Sequence, residues 1–336
     1  MHYRSVYDLN AAITRNAHRL PDDIDLVVGV PRSGLLAANL LSLLTNLPLT
    51  DLDGYLERRI TSAGKTKNQT GLQTGFDQIR KVLILDDSAN VGTAMLEARK
   101  RLEEASLGHI YVYAVVYGVR PDHEYCDLIF EVLPQPRVFQ WNLMHHVVLE
   151  RACVDIDGVL CHDPSEYEND DGDRYLDFLL SVSPLYRPTR RIGTLVTSRL
   201  EKYREQTERW LATQGILYNK LVMLDLPNKA ERQRLAAHGS FKASYYKSSN
   251  APLFIESELN QARYIAQASG KPVLCLETHT LIDPVDVLDG VEVAGRNNKA
   301  AIYKPPLTKR AKKALKASIG DGHYERLKRL RSWLSL

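Results

Sequence analysis

No apolar run in the 336 residues approaches the roughly 18–20 needed to cross a bilayer as a helix. The opening MHYRSVYDLNAAITRN lacks the charged-then-apolar order of a secretion signal, so none is expected there. Cysteine is scarce. The four, Cys126, Cys153, Cys161 and Cys275, form no CxxC pair and have no disulfide-dense spacing. Reduced, buried thiols and a cytoplasmic compartment are the expectation. Internal repeats and long low-complexity linkers are also missing. Net charge is only +3, and it is uneven, because residues 300–336 hold ten Lys and Arg against two Asp and Glu. The rest of the chain is therefore acidic on balance.

What is present is an ordinary globular composition, 44% hydrophobic and 25% charged, at a length that suggests two domains. LVVGV (26–30), KVLILDD and IYVYAVVYG (110–118) read as buried strands. LLAANLLSLLTNL and TAMLEARKRLEEA read as the helices between them. The pattern restarts at CVDIDGVL and continues through IGTLVTS (192–198), KLVMLD (220–225), PLFIES (252–257) and PVLCLE (272–277), with the helical EKYREQTERWLATQG and LNQARYIAQASG between strands. This alternation predicts an α/β fold of two domains, each a mostly parallel sheet flanked by helices. The division expected is 1–147, 148–285 and a basic extension over 286–336. Residues 57–75, polar and without periodicity, predict a loop.

Ligands of an open parallel sheet sit beyond the C-terminal ends of its strands. Asp86 and Asp87 are expected to end one strand, followed by a turn over Ser88, Ala89, Asn90, Val91, Gly92 and Thr93 at a helix start. Amides and a helix dipole there can hold a phosphate, and paired carboxylates can accept from vicinal hydroxyls. Arg32, Ser33 and Gly34 follow another strand and add a guanidinium for a diphosphate. These motifs resemble those of the type I phosphoribosyltransferases. The resemblance covers about residues 1–145. It implies that Asp86 and Asp87 hold the ribose hydroxyls of PRPP (5-phosphoribosyl 1-diphosphate), that Ser88–Thr93 cradles its 5-phosphate, and that Arg32–Gly34 faces an Mg²⁺-bound diphosphate. A loop with Arg58, Arg59 and Lys65 would close over the site. The chain departs from the family's Thr-Gly-x-Thr, having Val91-Gly92-Thr93-Ala94. Trp141 is expected either to stack an acceptor ring or to staple the domains.

Asp155 and Asp157, two apart, should share one strand face before Gly158 turns the chain. One carboxylate can attack phosphorus while the other manages protons. Two carboxylates facing a phosphate require a cation such as Mg²⁺. Four ordered motifs here resemble the haloacid dehalogenase-like phosphatases. The resemblance implies Asp155 as nucleophile, Asp157 as acid/base, Thr197 as the orienting hydroxyl with Ser198 and Arg199 beside it, and Lys242 as the phosphate-neutralising lysine. Lys229 and Lys247 are alternatives for that lysine. The metal set would be Asp155, Asp157 and Glu256, with Glu258 in reserve. The short 161–190 segment predicts a minimal, one-helix cap. Asp170, Asp171 and Asp173 lack calcium-loop spacing and predict a solvated acidic loop.

Leu327, Leu330, Trp333 and Leu334 fall at helical spacing among basic residues. That suits peripheral contact with the inner face of a membrane, or docking on the body or another subunit. No nucleic-acid module is present, so no nucleic acid is expected. The whole chain resembles bifunctional proteins of bacterial polysaccharide ribofuranosylation. That resemblance implies PRPP and a glycan, lipid-linked or free, as substrates. The rival expectations are a nucleobase phosphoribosyltransferase joined to a nucleotidase, and a PRPP-sensing regulator.

Overall fold

The computed structural model describes residues 1–61, 75–169, 171–235 and 237–285. Residues 1–290 form one compact unit and 291–336 another, which lies outside the described residues. Lys65 of the loop expected to close over the first site, residue Asp170 and the basic tail are likewise outside them. Among the described residues no helix is long and apolar enough to cross a membrane.

After a short strand β1 (His2–Arg4), helix α1 (Val6–Asn16) starts with a capping box in which Ser5 and Asp8 satisfy each other's end of the first turn. The first sheet follows. Its strands are β2 (Leu26–Gly29), β3 (Leu49–Asp51), β4 (Lys81–Ala89), β5 (Ile110–Gly118) and β6 (Leu128–Val132). They lie in the order β3-β2-β4-β5-β6, all parallel. Val82–Leu85 are wholly buried, as a central strand covered on both faces requires. Helices α2 (Gly34–Thr45), α3 (Leu52–Leu56) and α4 (Thr93–Ala105) provide connections. The chain runs outward from β2 to β3, then returns to β4 on the other side. That reversal opens a crevice between the C-terminal ends of β2 and β4.

Strand β7 (Arg137–Phe139) pairs with β1. The second sheet comprises β8 (Cys153–Val154), β9 (Ile192–Leu200), β10 (Tyr218–Leu224), β11 (Phe254–Glu256), β12 (Val273–Cys275) and β13 (Thr280–Ile282). Its order is β10-β9-β8-β11-β12-β13, parallel except for β13. Here the reversal falls between β8 and β11. The helices are α5 (Asp173–Ser181), α6 (Arg204–Thr213), α7 (Lys229–Arg234), α8 (Ala237–Ser248) and α9 (Leu259–Ser269). Tyr3, Val138, Leu143 and Met144 join Leu149, Val154 and Leu195 in one apolar cluster, so the expected division at 147/148 falls within a stretch that is packed on both sides.

The segment between the first two motifs of the second half holds α5, which packs Tyr175, Phe178 and Leu179 on Leu200, Tyr203 and Leu224. The acidic loop before it is not simply solvated. Asp171 accepts from Tyr203 Oη at 2.7 Å and from the Lys229 amide at 3.1 Å, and it pairs with Lys202 at 2.9 Å. These bonds pin the small cap to the sheet end.

Candidate active sites

The first site lies at the β2/β4 reversal. Strand β4 continues through Ala89, so Asp86, Asp87 and Ser88 are strand residues, and the expected turn shrinks to Asn90–Gly92. Pairing with β5 through Ala89 extends the strand. Asp86 Oδ1 accepts from the Asp87 amide at 2.8 Å. Burial first, then the neighbouring Asp87 carboxylate, pushes Asp86 well above the ordinary range. A Cβ on Gly34 would sit 2.7 Å from Asp86 Oδ1, so only glycine allows α2 to start this close to the carboxylate. Ser33 Oγ donates to Asp87 Oδ1 at 2.7 Å, and Arg32 is exposed beside it.

Helix α4 begins at Gly92, φ 80°, with no side chain capping its first turn. The amides at that end are therefore available to an anion. A Cβ at Gly92 would lie 2.3 Å from His123 Cε1, which excludes other residues there. Asp86, Ser88 and the run Ala89–Met95 line a pocket of about 220 Å³. The structure thus brings the expected phosphate-loop residues and Asp86 around one opening.

Trp141 neither lies loose as a stacking platform nor staples two domains. Its ring stacks on Phe139 at 4.7 Å and 8°, and Phe139 in turn stacks on Tyr117. Its Nε1 donates to Asp87 Oδ2 at 2.8 Å. Asp87 is thus held from both sides, by Ser33 and by Trp141. Trp141→Phe keeps the stack and removes the donor. Stability should fall by about 1.5–3 kcal/mol, as for a hydrogen bond to a charged group, measured by urea unfolding. A change within experimental error would mean that the indole does not hold Asp87.

The second site lies at the β8/β11 reversal. The expectation that Asp155 and Asp157 share a strand face fails because β8 ends at Val154 and the chain turns at Ile156–Leu160. The two carboxylates diverge. Asp155 Oδ2 pairs with Lys242 Nζ at 2.6 Å, and the same ammonium reaches Glu256 Oε2 at 2.8 Å. All three are buried. Asp157 instead meets Arg199, whose Nη2 lies 2.6 Å from Oδ1 and whose Nε lies 3.1 Å from both oxygens. Arg199, expected beside the phosphoryl group, is fully buried and committed to this fork. Thr197 Oγ1 accepts from the Arg199 amide at 3.2 Å, and Ser198 is its buried neighbour. Gly158, φ 71°, is required because a Cβ would lie 2.4 Å from Ser257 Oγ.

Among the described residues no three His, Cys, Asp or Glu side chains converge as a metal cage. Asp157 turns its carboxylate away to Arg199, and Glu258 caps α9 by accepting from the Asn260 and Gln261 amides. Asp155 and Glu256 remain. Two buried carboxylates share one ammonium. Burial, opposed by Lys242 and reinforced by Glu256 and Asp157, pushes Asp155 up to about 8. Mg²⁺ commonly uses one or two carboxylates and completes its shell with water and substrate phosphate. Asp155 and Glu256 are the two carboxylates here that fit that role.

A cleft of about 400 Å³ opens beside Gly158 and Ser257, lined also by Asp163, Tyr186, Glu277 and His279. Asp163, raised by burial and then by Asp157 and Glu256, went unnoticed in the sequence. So did Tyr175 and Arg232. Asp163 follows Gly158 by only five residues, whereas Tyr175 and Arg232 come from α5 and α7.

No family model and no curated protein matches this chain. Similarity is found among solved structures. A Helicobacter pylori xanthine-guanine-hypoxanthine phosphoribosyltransferase is 15% identical over 42% of this chain and 92% of that chain, with a TM-score of 0.30. A purine phosphoribosyltransferase from Pyrococcus horikoshii Ot3 is 21% identical over 42% and 92%, with a TM-score of 0.30. A hypothetical protein from Neisseria gonorrhoeae with bound ppGpp is 13% identical over 42% and 89%, with a TM-score of 0.30. The α/β architecture described above stands on the strand order of the chain itself.

Proposed function

We propose that the chain transfers a 5-phosphoribosyl group from PRPP to a glycan hydroxyl, with inversion at C1, and then hydrolyses the 5-phosphate. One observation carries this reading. Each sheet places a set of acidic residues at its own topological reversal, one beside an uncapped helix start and the other beside a buried lysine. Asp86 and Asp87 bind the ribose hydroxyls and stabilise the positive charge that develops on the ring as diphosphate leaves. Ser88–Thr93 binds the 5-phosphate and Arg32–Gly34 the diphosphate.

In the second half Asp155 attacks phosphorus, forming an aspartyl-phosphate as the sugar 5-oxygen leaves with a proton. Water then cleaves the acyl-phosphate bond, releasing inorganic phosphate and restoring the carboxylate. Asp157 is the nearby group suited to pass those protons, and its use requires the Arg199 fork to open. Loss of the phosphate handle prevents simple reversal of the transfer. Trp141, engaged with Phe139 and Asp87, supports a non-planar acceptor over a stacked nucleobase.

The test is to incubate the protein with PRPP, Mg²⁺ and candidate glycans, and to read the mass added to the glycan. An anhydro-pentose is expected. Diphosphate release that depends on a nucleobase instead would overturn the glycan assignment.

A further inference from the structure

Two of the buried cations in the second half have their counter-charges: Lys242 lies between Asp155 and Glu256, and Arg199 carries Asp157. Arg232 on α7 does not. It is 7% exposed, and among the described residues no carboxylate pairs with it. Its Nη1 donates to the Ser198 carbonyl at 2.9 Å. Its Nε is buried without a partner. Ser198 is 8% exposed, and its Oγ is likewise buried without a partner. The two orphaned donors therefore belong to residues already in contact.

A buried guanidinium without a counter-charge is strongly disfavoured, and an unmade hydrogen bond at a buried hydroxyl adds to that cost. The surroundings feel the uncompensated charge. Burial, then Arg232 and Lys242, pushes His238 down to about 4, so its imidazole is neutral. Ser198 lies near the C-terminal end of β9, which pairs with β8 up to Val154, the residue before Asp155, and Arg232 reaches its carbonyl.

We infer that Arg232 Nε–H and the Ser198 hydroxyl form a preformed anion subsite that receives oxygens of the substrate's phosphoryl group. Identifying the anion as phosphoryl rests on reading this half as a phosphatase. The guanidinium presents only donors in a planar fork, which matches a tetrahedral oxyanion, and the hydroxyl turns to suit. The phosphate-holding part expected of Arg199 thus passes to an arginine 33 positions further along the chain.

The test uses the full chain and inorganic phosphate at constant ionic strength, with acetate as control. Thermal unfolding is followed for the wild type, Arg232→Gln and Ser198→Ala. Phosphate, but not acetate, should raise the wild-type Tm. Without phosphate, Arg232→Gln should be as stable as the wild type or more so, because a lone buried charge has gone, and phosphate should no longer raise its Tm. For hydrolysis of p-nitrophenyl phosphate, Arg232→Gln should raise KM by about ten- to a hundredfold, with Arg232→Lys recovering part. A destabilised Arg232→Gln that phosphate still protects would make the arginine merely structural and overturn the inference. If Arg232→Gln does not fold, Ser198→Ala decides, and undiminished phosphate protection there overturns it. Hydrolysis by the wild type with unaltered KM in both variants would sink the subsite and leave the phosphatase reading standing. Arg232-dependent phosphate protection in a wild type that hydrolyses no monoester would do the reverse.

Discussion

Replacing Asp155 with asparagine should abolish release of inorganic phosphate, by about a thousandfold or more, while release of diphosphate continues. The amide cannot form the acyl-phosphate, yet it keeps the shape of the side chain between Ile156 and Lys242. Under the proposed function, the glycan product should then carry the pentose with its phosphate still attached. The two chemistries are separable because Asp86 and Asp87 stand at the crevice of one sheet and Asp155 at that of the other. Loss of diphosphate release as well, in a variant that unfolds normally, would contradict independent sites.

The second large effect is expected at Lys242. Lys242→Met should cost about 3–5 kcal/mol, since removing one member of a buried ionic group leaves its partners uncompensated. Asp155 and Glu256 would then face each other with no positive charge between them. Added Mg²⁺ should restore more stability to Lys242→Met than it adds to the wild type, because it supplies the missing charge at the same two carboxylates. Urea unfolding with and without Mg²⁺ measures both quantities. An equal, small effect of Mg²⁺ on the two proteins would argue against Asp155 and Glu256 as its ligands.

Much of the fold was legible because long apolar runs leave few alternatives. KVLILDD and IYVYAVVYG can only be buried strands, and TAMLEARKRLEEA spans α4 end to end. The short elements were not. β1 has three residues and exists through pairing with β7, more than 130 positions away. β6 exposes Val132, and β13 is the antiparallel exception in its sheet. In the sites, the sequence singles out carboxylates but not where they point. Two-residue alternation put Asp155 and Asp157 on one face, and a strand that stops at Val154 undid it. Arg199 reaches Asp157 across 42 positions, and Lys242 reaches Asp155 across 87. A register shift between Val222 and Leu224 opposite the Thr197–Arg199 stretch further reorients those side chains. No local pattern encodes any of these. Arg232 was invisible for a related reason, since what marks it is a missing partner.

The apolar cluster that takes in Tyr3 and Val138 as well as Leu149, Val154 and Leu195 ties the fates of both halves of the chain together. Genes split between codons 147 and 148 would yield two fragments with greasy, complementary scars, prone to clump when made singly and to reassociate when made together. Heating the intact chain should accordingly melt both sheets in one step, so neither half can outlive the other.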